Sequence, residues 1–121
     1  EIHSVLDGIA TGARIAFDLT VQGDVTRPDL RLAFLALMCA ESAMPYGGSV
    51  TISREGADWA LHATAGKLRI DPPLWAALDQ TRAPDTVTPA HVQFALMPLV
   101  AREQGRRISV DIEDTRLALR F

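Results

Sequence analysis

The chain has 121 residues, 48% hydrophobic and 22% charged, with a formal charge of −3, which is the composition of one globular domain able to bury its own core. A single cysteine excludes an internal disulfide, and 12 basic against 15 acidic residues, spread without blocks, exclude the positive field that nucleic-acid binding draws on. No segment approaches the roughly 20 apolar residues that span a bilayer and no basic-then-apolar leader opens the chain, so a reducing, cytoplasmic setting is expected, with neither nucleic acid nor membrane as partner.

Ile2, Val5, Leu6 and Ile9 recur at helical spacing, and Gly12 breaks the pattern, so a short helix is predicted to end near Thr11. From Ala13 the period becomes two: Ile15, Phe17, Leu19 and Val21 alternate with Arg14, Ala16, Asp18 and Thr20, the pattern of a half-buried strand. Pro28 suits a first helical turn, with Thr26 or Arg27 at the cap. From Leu30 to Met44 only Arg31, Glu41 and Ser42 interrupt apolar residues, which predicts the most buried helix of the fold. Pro45 and Gly47-Gly48 end it and lead into Val50 and Ile52, alternating with Ser49, Thr51 and Ser53.

A turn around Glu55-Gly56 joins this strand to Trp59, Leu61 and Ala63, which alternate with Asp58, Ala60, His62 and Thr64, predicting an antiparallel hairpin. Lys67 to Asp71 reads as extended, Pro72-Pro73 opens a short helix carrying Leu74, Trp75 and Leu78, and Ala83 to Val87 reads as a loop. Thr88-Pro89 resembles a cap and first-turn proline for a helix whose apolar set is Val92, Leu96, Leu99 and Val100, with Pro98 kinking or dividing it. After Gly105, Ile108, Val110 and Ile112 answer Leu117, Leu119 and Phe121 across a turn at Asp114-Thr115. Ile112 then faces Leu117 and Glu113 faces Arg116, so apolar and charge pairing agree on one register. About five strands and four helices, each apolar on one face, predict a two-layer α/β (α+β) sandwich: a mixed sheet covered on one side by helices.

Few residues carry a chemical signature. His3, His62 and His91 have no His or Cys partner at metal spacing, so structural roles are expected for all three, His3 pairing with Asp7 one helical turn on. Cys39 lies in the most apolar helix, where burial raises a thiol pKa and silences it. Glu41, Glu55, Asp58 and Asp71 form no readable acid/base pair, and Trp59 and Trp75 read as core or interface aromatics. Gly47-Gly48 reads as turn chemistry, since no G-x-G-x-x-G and no lysine-bearing phosphate loop accompany it. No catalytic, cofactor-binding or metal residue is assigned, and no cofactor is expected.

Two segments carry a resemblance: Leu32 to Ile52, an apolar helix ending in Gly-Gly and a strand, and Pro98 to Val110, a late helix ending in glycine before Arg-Ile-Ser-Val. In their order they resemble the ATP-binding (Bergerat-fold) domain of histidine kinases. Kinases of that fold hold Mg–ATP through an asparagine on the apolar helix, an Asp-x-Gly-x-Gly loop at the adenine and glycine-rich turns over the phosphates. Here Met38, Cys39, Ala40 and Glu41 lie near the asparagine position, the chain has no asparagine at all, and residues 65–89 offer Gly66 and Asp71-Pro72-Pro73 with no G-x-G.

That combination is similar to the ChpT-type histidine phosphotransferases, which look like dimeric kinases whose ATP domain has decayed. Ala40-Glu-Ser-Ala-Met-Pro-Tyr-Gly-Gly, Val92-Gln93 and Leu99-Val-Ala-Arg-Glu-Gln-Gly carry the likeness. The resemblance implies a phosphoryl group passed from a receiver-domain aspartate to a histidine and on to another aspartate, the histidine standing before Asp in an N-terminal helical hairpin that also makes a homodimer. No His-Asp pair occurs here, and only residues 1–12 precede the predicted first strand. The expectation is therefore one degenerate kinase-like domain over residues 1–121, with the phosphoacceptor hairpin upstream. It would recognise response-regulator receiver domains in a two-component phosphorelay, with no catalysis by this chain alone. The alternatives are a divergent ATP-binding kinase or ATPase of the same fold, and a stand-alone protein-interaction domain.

Overall fold

The computed structural model describes residues 15–21 and 24–121. The predicted helix through Ile9, with His3 and Asp7, lies outside the described residues. The first element is strand β1 (Ile15–Thr20), which pairs in parallel with β2 (Gly48–Glu55), Ile15 opposite Gly48 and Thr20 opposite Ser53. Helix α1 (Arg27–Ser42) makes the crossover between them. Its start follows the sequence closely. Thr26 is the N-cap, its hydroxyl accepts from the Asp29 N–H at 3.2 Å, and proline occupies the first turn.

Strand β3 (Asp58–Thr64) returns antiparallel to β2, with Glu55 opposite Asp58 across a turn where Gly56 takes φ +64°. Its other neighbour is β5 (Arg116–Arg120), which closes a hairpin with β4 (Ser109–Ile112). The sheet order is β1-β2-β3-β5-β4, one parallel pair in an otherwise antiparallel sheet. The second hairpin has the register read from the sequence: Ile112 opposite Leu117, the Glu113 N–H donating to the Arg116 carbonyl at 2.8 Å, and Arg116 Nη2 2.8 Å from Glu113 Oε2.

Cross-strand pairing sorts the side chains into two faces. Val50, Ala63 and Leu117 form one row and Ile52, Leu61 and Leu119 the next, all buried under the helices. The alternate rows, Thr51-His62-Ala118-Asp111 and Ser53-Ala60-Arg120-Ser109, belong to the other face of the sheet. Helix α1 buries Leu32, Ala33, Leu35, Ala36, Leu37, Cys39 and Ala40 against the first face. Each fully buried leucine there contributes about 1.5–3 kcal/mol relative to exposure. Gly48 is held to glycine by close approach, since a Cβ would collide with the Thr64 carbonyl and sit 2.9 Å from Met44 Sδ.

Two further helices complete the layer, α2 (Pro72–Asp79) and α3 (Gln93–Glu103), with a 3-10 turn at Pro89–His91 before the latter. Two expectations are corrected here, and of the two outcomes open at Pro98 one is excluded. Thr88-Pro89 opens the 3-10 turn instead of α3, and the Thr88 hydroxyl meets His91 Nδ1 at 3.2 Å instead of capping a backbone N–H. Pro98 does not divide α3, which runs as one buried-side helix through it. Of the predicted apolar set only Val100 turns to the core: Phe94, Met97, Pro98, Val100 and Ala101 are buried, whereas Val92, Leu96 and Leu99 are exposed. Both faces of α3 are apolar at helical spacing, and α2 settles the choice by setting Trp75 edge-on to Phe94, with ring centres 5.1 Å apart.

Candidate functional site

The end of α1, the segment 66–71, α2 and the Pro89–His91 turn enclose a cleft of about 490 Å³. The Arg69 N–H donates to the Ala43 carbonyl at 2.8 Å, which ties that segment to the residue capping α1. The segment is irregular, not a strand, because Asp71-Pro72-Pro73 turns it directly into α2. Trp75 and Phe94 form one wall, and His91 stands edge-on to Phe94 at 6.0 Å. Ser42, Arg69 and Asp71 line the rest. Asp71 is the N-cap of α2, yet its carboxylate makes no capping hydrogen bond. The cleft thus gathers one guanidinium, one carboxylate and one imidazole around an aromatic wall.

At the end of α1 the four residues near the kinase asparagine position point in different directions. Cys39 and Ala40 are fully buried, Met38 is exposed, and Glu41 is half-buried. Burial pushes the Cys39 thiol far above its ordinary pKa, so it stays protonated and non-nucleophilic, as the sequence led one to expect. Burial also raises the Glu41 carboxyl, whose Oε2 is enclosed without a hydrogen-bond partner among the described residues. The neighbouring Ser42 hydroxyl turns back to donate to the Cys39 carbonyl at 2.7 Å.

The remaining candidates are not brought together. His62 is exposed in the row facing away from the helices, while His91 lines the cleft. Glu55 and Asp58 close the first hairpin. Trp59 and Trp75 are buried core aromatics, Trp59 stacked on Phe121 with ring centres 6.2 Å apart. Lys67 is exposed beside Gly66. Among the described residues no three His, Cys, Asp or Glu side chains converge as a metal site, and no helix is long and apolar enough to cross a membrane.

A protein-family model described as the histidine phosphotransferase C-terminal domain matches residues 1–116. The chain belongs to that family. The likeness extends to solved structures. A bacterial phosphotransferase superposes with a TM-score of 0.80 at 20% identity, over 98% of this chain and 60% of that one. The mycobacterial sensor histidine kinase MprB follows at 0.63 and 19%, over 98% and 88%, and the catalytic domain of the histidine kinase ThkA at 0.62 and 9%, over 99% and 86%. At these identities the likeness is one of fold, which is therefore histidine-kinase ATPase-like. The histidine phosphotransferase domain described here spans about three-fifths of the length of the phosphotransferase structure it matches. No curated protein sequence matches it.

Sequence reasoning missed one feature of this phosphotransferase domain, the exposed row Val92, Leu96 and Leu99 on α3. The spacing alone assigns this row to the core-facing side. The discriminating signal was Phe94 and Met97, bulkier side chains at equally good helical spacing on the opposite side.

Proposed function

We propose that this domain is the nucleotide-incompetent, kinase-like part of a histidine phosphotransferase, and that it helps recognise the receiver domains of response regulators in a two-component phosphorelay. Chemistry in this reading belongs to a phosphoacceptor histidine in a helical hairpin upstream, which would also make the homodimer; the chain described here contributes binding. The setting is cytoplasmic.

The observation that carries the first half is the contrast between a retained fold and a changed site. The kinase fold needs a metal-binding amide on the apolar helix, and here the candidate positions hold a fully buried, protonated thiol, a methyl group, an exposed thioether and a half-buried carboxylate. Where glycine loops would wrap adenine and phosphates, Pro72 and Pro73 form the first turn of α2, and two backbone N–H donors are lost with them. Triphosphate and magnesium need several converging donors and oxygen ligands, and among the described residues this cleft offers Arg69 as its one guanidinium. The residues present do not fit Mg–ATP.

Isothermal titration of the domain with Mg–ATP tests that half. No heat of binding is expected through the millimolar range, and saturation at micromolar nucleotide would overturn it in favour of a divergent kinase or ATPase. Titration with purified receiver domains tests the other half.

A further inference from the structure

Seven large apolar side chains stand exposed among the described residues: Met38, Tyr46, Val87, Val92, Leu96, Leu99 and Ile112. Four of them meet on one surface. Gln104 Nε2 donates to the Pro28 carbonyl at 3.1 Å and Gln93 Nε2 approaches the Met38 carbonyl at 3.4 Å, so the start of α1 lies beside the end of α3 and the two helices run antiparallel. Val92, Leu96 and Leu99 fall at i, i+4 and i+7, a single stripe whose opposite side is in the core. Leu99 is 55% exposed and Met38 39%, although both faces of a helix this apolar could have been covered. A grouped apolar stripe of this kind marks an interaction surface more often than a scatter of single residues does.

The charges around the stripe identify what it fits. Arg27 and Arg31 on α1 and Arg102 on α3 are exposed at the end where Gln104 meets Pro28, and none of the three has an ion-pair partner among the described residues. Glu103 and Asp24 are exposed acids at that end, leaving the arginines in excess; Asp29 is committed to Arg106 at 2.8 Å. An apolar centre with arginines at its border matches a partner surface that is apolar in the middle and carries carboxylates at one end.

We propose that the outer surface of the α1–α3 pair, centred on Met38, Val92, Leu96 and Leu99 with Arg27, Arg31 and Arg102 at one end, docks a receiver domain through a complementary patch that is apolar at its centre and carries carboxylates at one end. This rests on the function proposed above and names the side of the fold that performs it, away from the aromatic cleft. The apolar stripe supplies the buried centre and the arginines supply orientation and encounter rate.

The test uses the full chain and a panel of purified receiver domains, with affinity read by biolayer interferometry at two salt concentrations. Leu96→Asp and Leu99→Asp are expected to weaken the binding of a wild-type partner about tenfold or more. Arg27→Glu with Arg31→Glu is expected to weaken it and to flatten its salt dependence, while Ile112→Asp on β4 leaves it unchanged. Because these positions are exposed, circular dichroism is expected to match the wild type, and Leu96→Gln serves where an aspartate variant fails to fold. If wild type binds receivers and the α3 variants bind equally well, this surface is overturned and the functional reading stands. If the variants abolish only self-association in sedimentation, the occupant is a second copy and the proposal is overturned. If wild type binds no receiver, the functional reading falls first and this one with it.

Discussion

Arg106 Nη2 donates to Asp29 Oδ1 at 2.8 Å, joining the approach to β4 to the first turn of α1. The same guanidinium reaches the Ala57 carbonyl at 2.9 Å and the Phe121 carbonyl at 3.3 Å through Nη1. One planar fork therefore holds a helix start, a hairpin turn and the C-terminal residue together. Arg106→Ala is expected to destabilise the domain by about 1–3 kcal/mol, because it leaves a partly buried carboxylate short of its main partner. Arg106→Lys is expected to recover only part of that, since a single ammonium cannot span acceptors on three segments. Urea unfolding followed by tryptophan fluorescence checks both. Equal stability of the alanine variant and wild type would show that the fork contributes nothing.

Thr81 occupies the left-handed region, φ +53°, where a β-branched residue is strained. Its hydroxyl accepts from the buried Ile108 N–H at 2.9 Å, so it links the exit of α2 to the residue that leads into β4. Thr81→Val keeps the strain and removes the acceptor, and is expected to cost about 1–3 kcal/mol. Thr81→Gly removes the acceptor but relieves the strain, so it is expected to fall between valine and wild type. Thermal unfolding of the three proteins gives the order, and a valine variant as stable as wild type would remove the hydroxyl from the account.

The strands were legible in the sequence because each has one buried face and the period of two leaves no choice of side. Val50 and Ile52, then Leu61 and Ala63, all lie in the core as the alternation required. The second hairpin was fixed further by Glu113 and Arg116, whose pairing excluded a slipped register. Helix α3 was not legible to the same degree. Its two apolar stripes satisfy the same period, and which one faces inward depends on Trp75, contributed by the preceding helix. The silent role of Cys39 could be read from its apolar neighbours. The cleft could not, because Ser42, Arg69, Trp75 and His91 are far apart in sequence, and the Arg69–Ala43 backbone bond together with the packing of α2 against α3 brings them to one place.

Cys39 is the one cysteine of the chain, fully buried and held protonated by its surroundings. A thiol reagent such as Ellman's compound is therefore expected to leave the native domain unmodified, and to label one thiol per chain once urea unfolds it. The labelling rate should follow the unfolded fraction across the transition, since attack needs the thiolate and access together. Rapid stoichiometric labelling in native buffer would mean that α1 opens at this position without global unfolding.

Glu41 lies in the last turn of α1, where burial raises its carboxyl pKa and the negative end of the helix dipole also disfavours an anion. The sign of its effect follows from linkage. An acid whose folded-state pKa exceeds its unfolded one costs no stability while both states are protonated, at or below about pH 4. As pH rises from there through the raised value, the unfolded chain gives up its proton first and the fold loses stability. Glu41→Gln removes the charge at a site where Oε2 has no hydrogen-bond partner among the described residues. The glutamine variant is therefore expected to melt above wild type at pH 7, with the gap closing as the buffer is brought toward pH 4. A gap that stays constant over that range would show that packing, and not the ionised carboxylate, sets the difference.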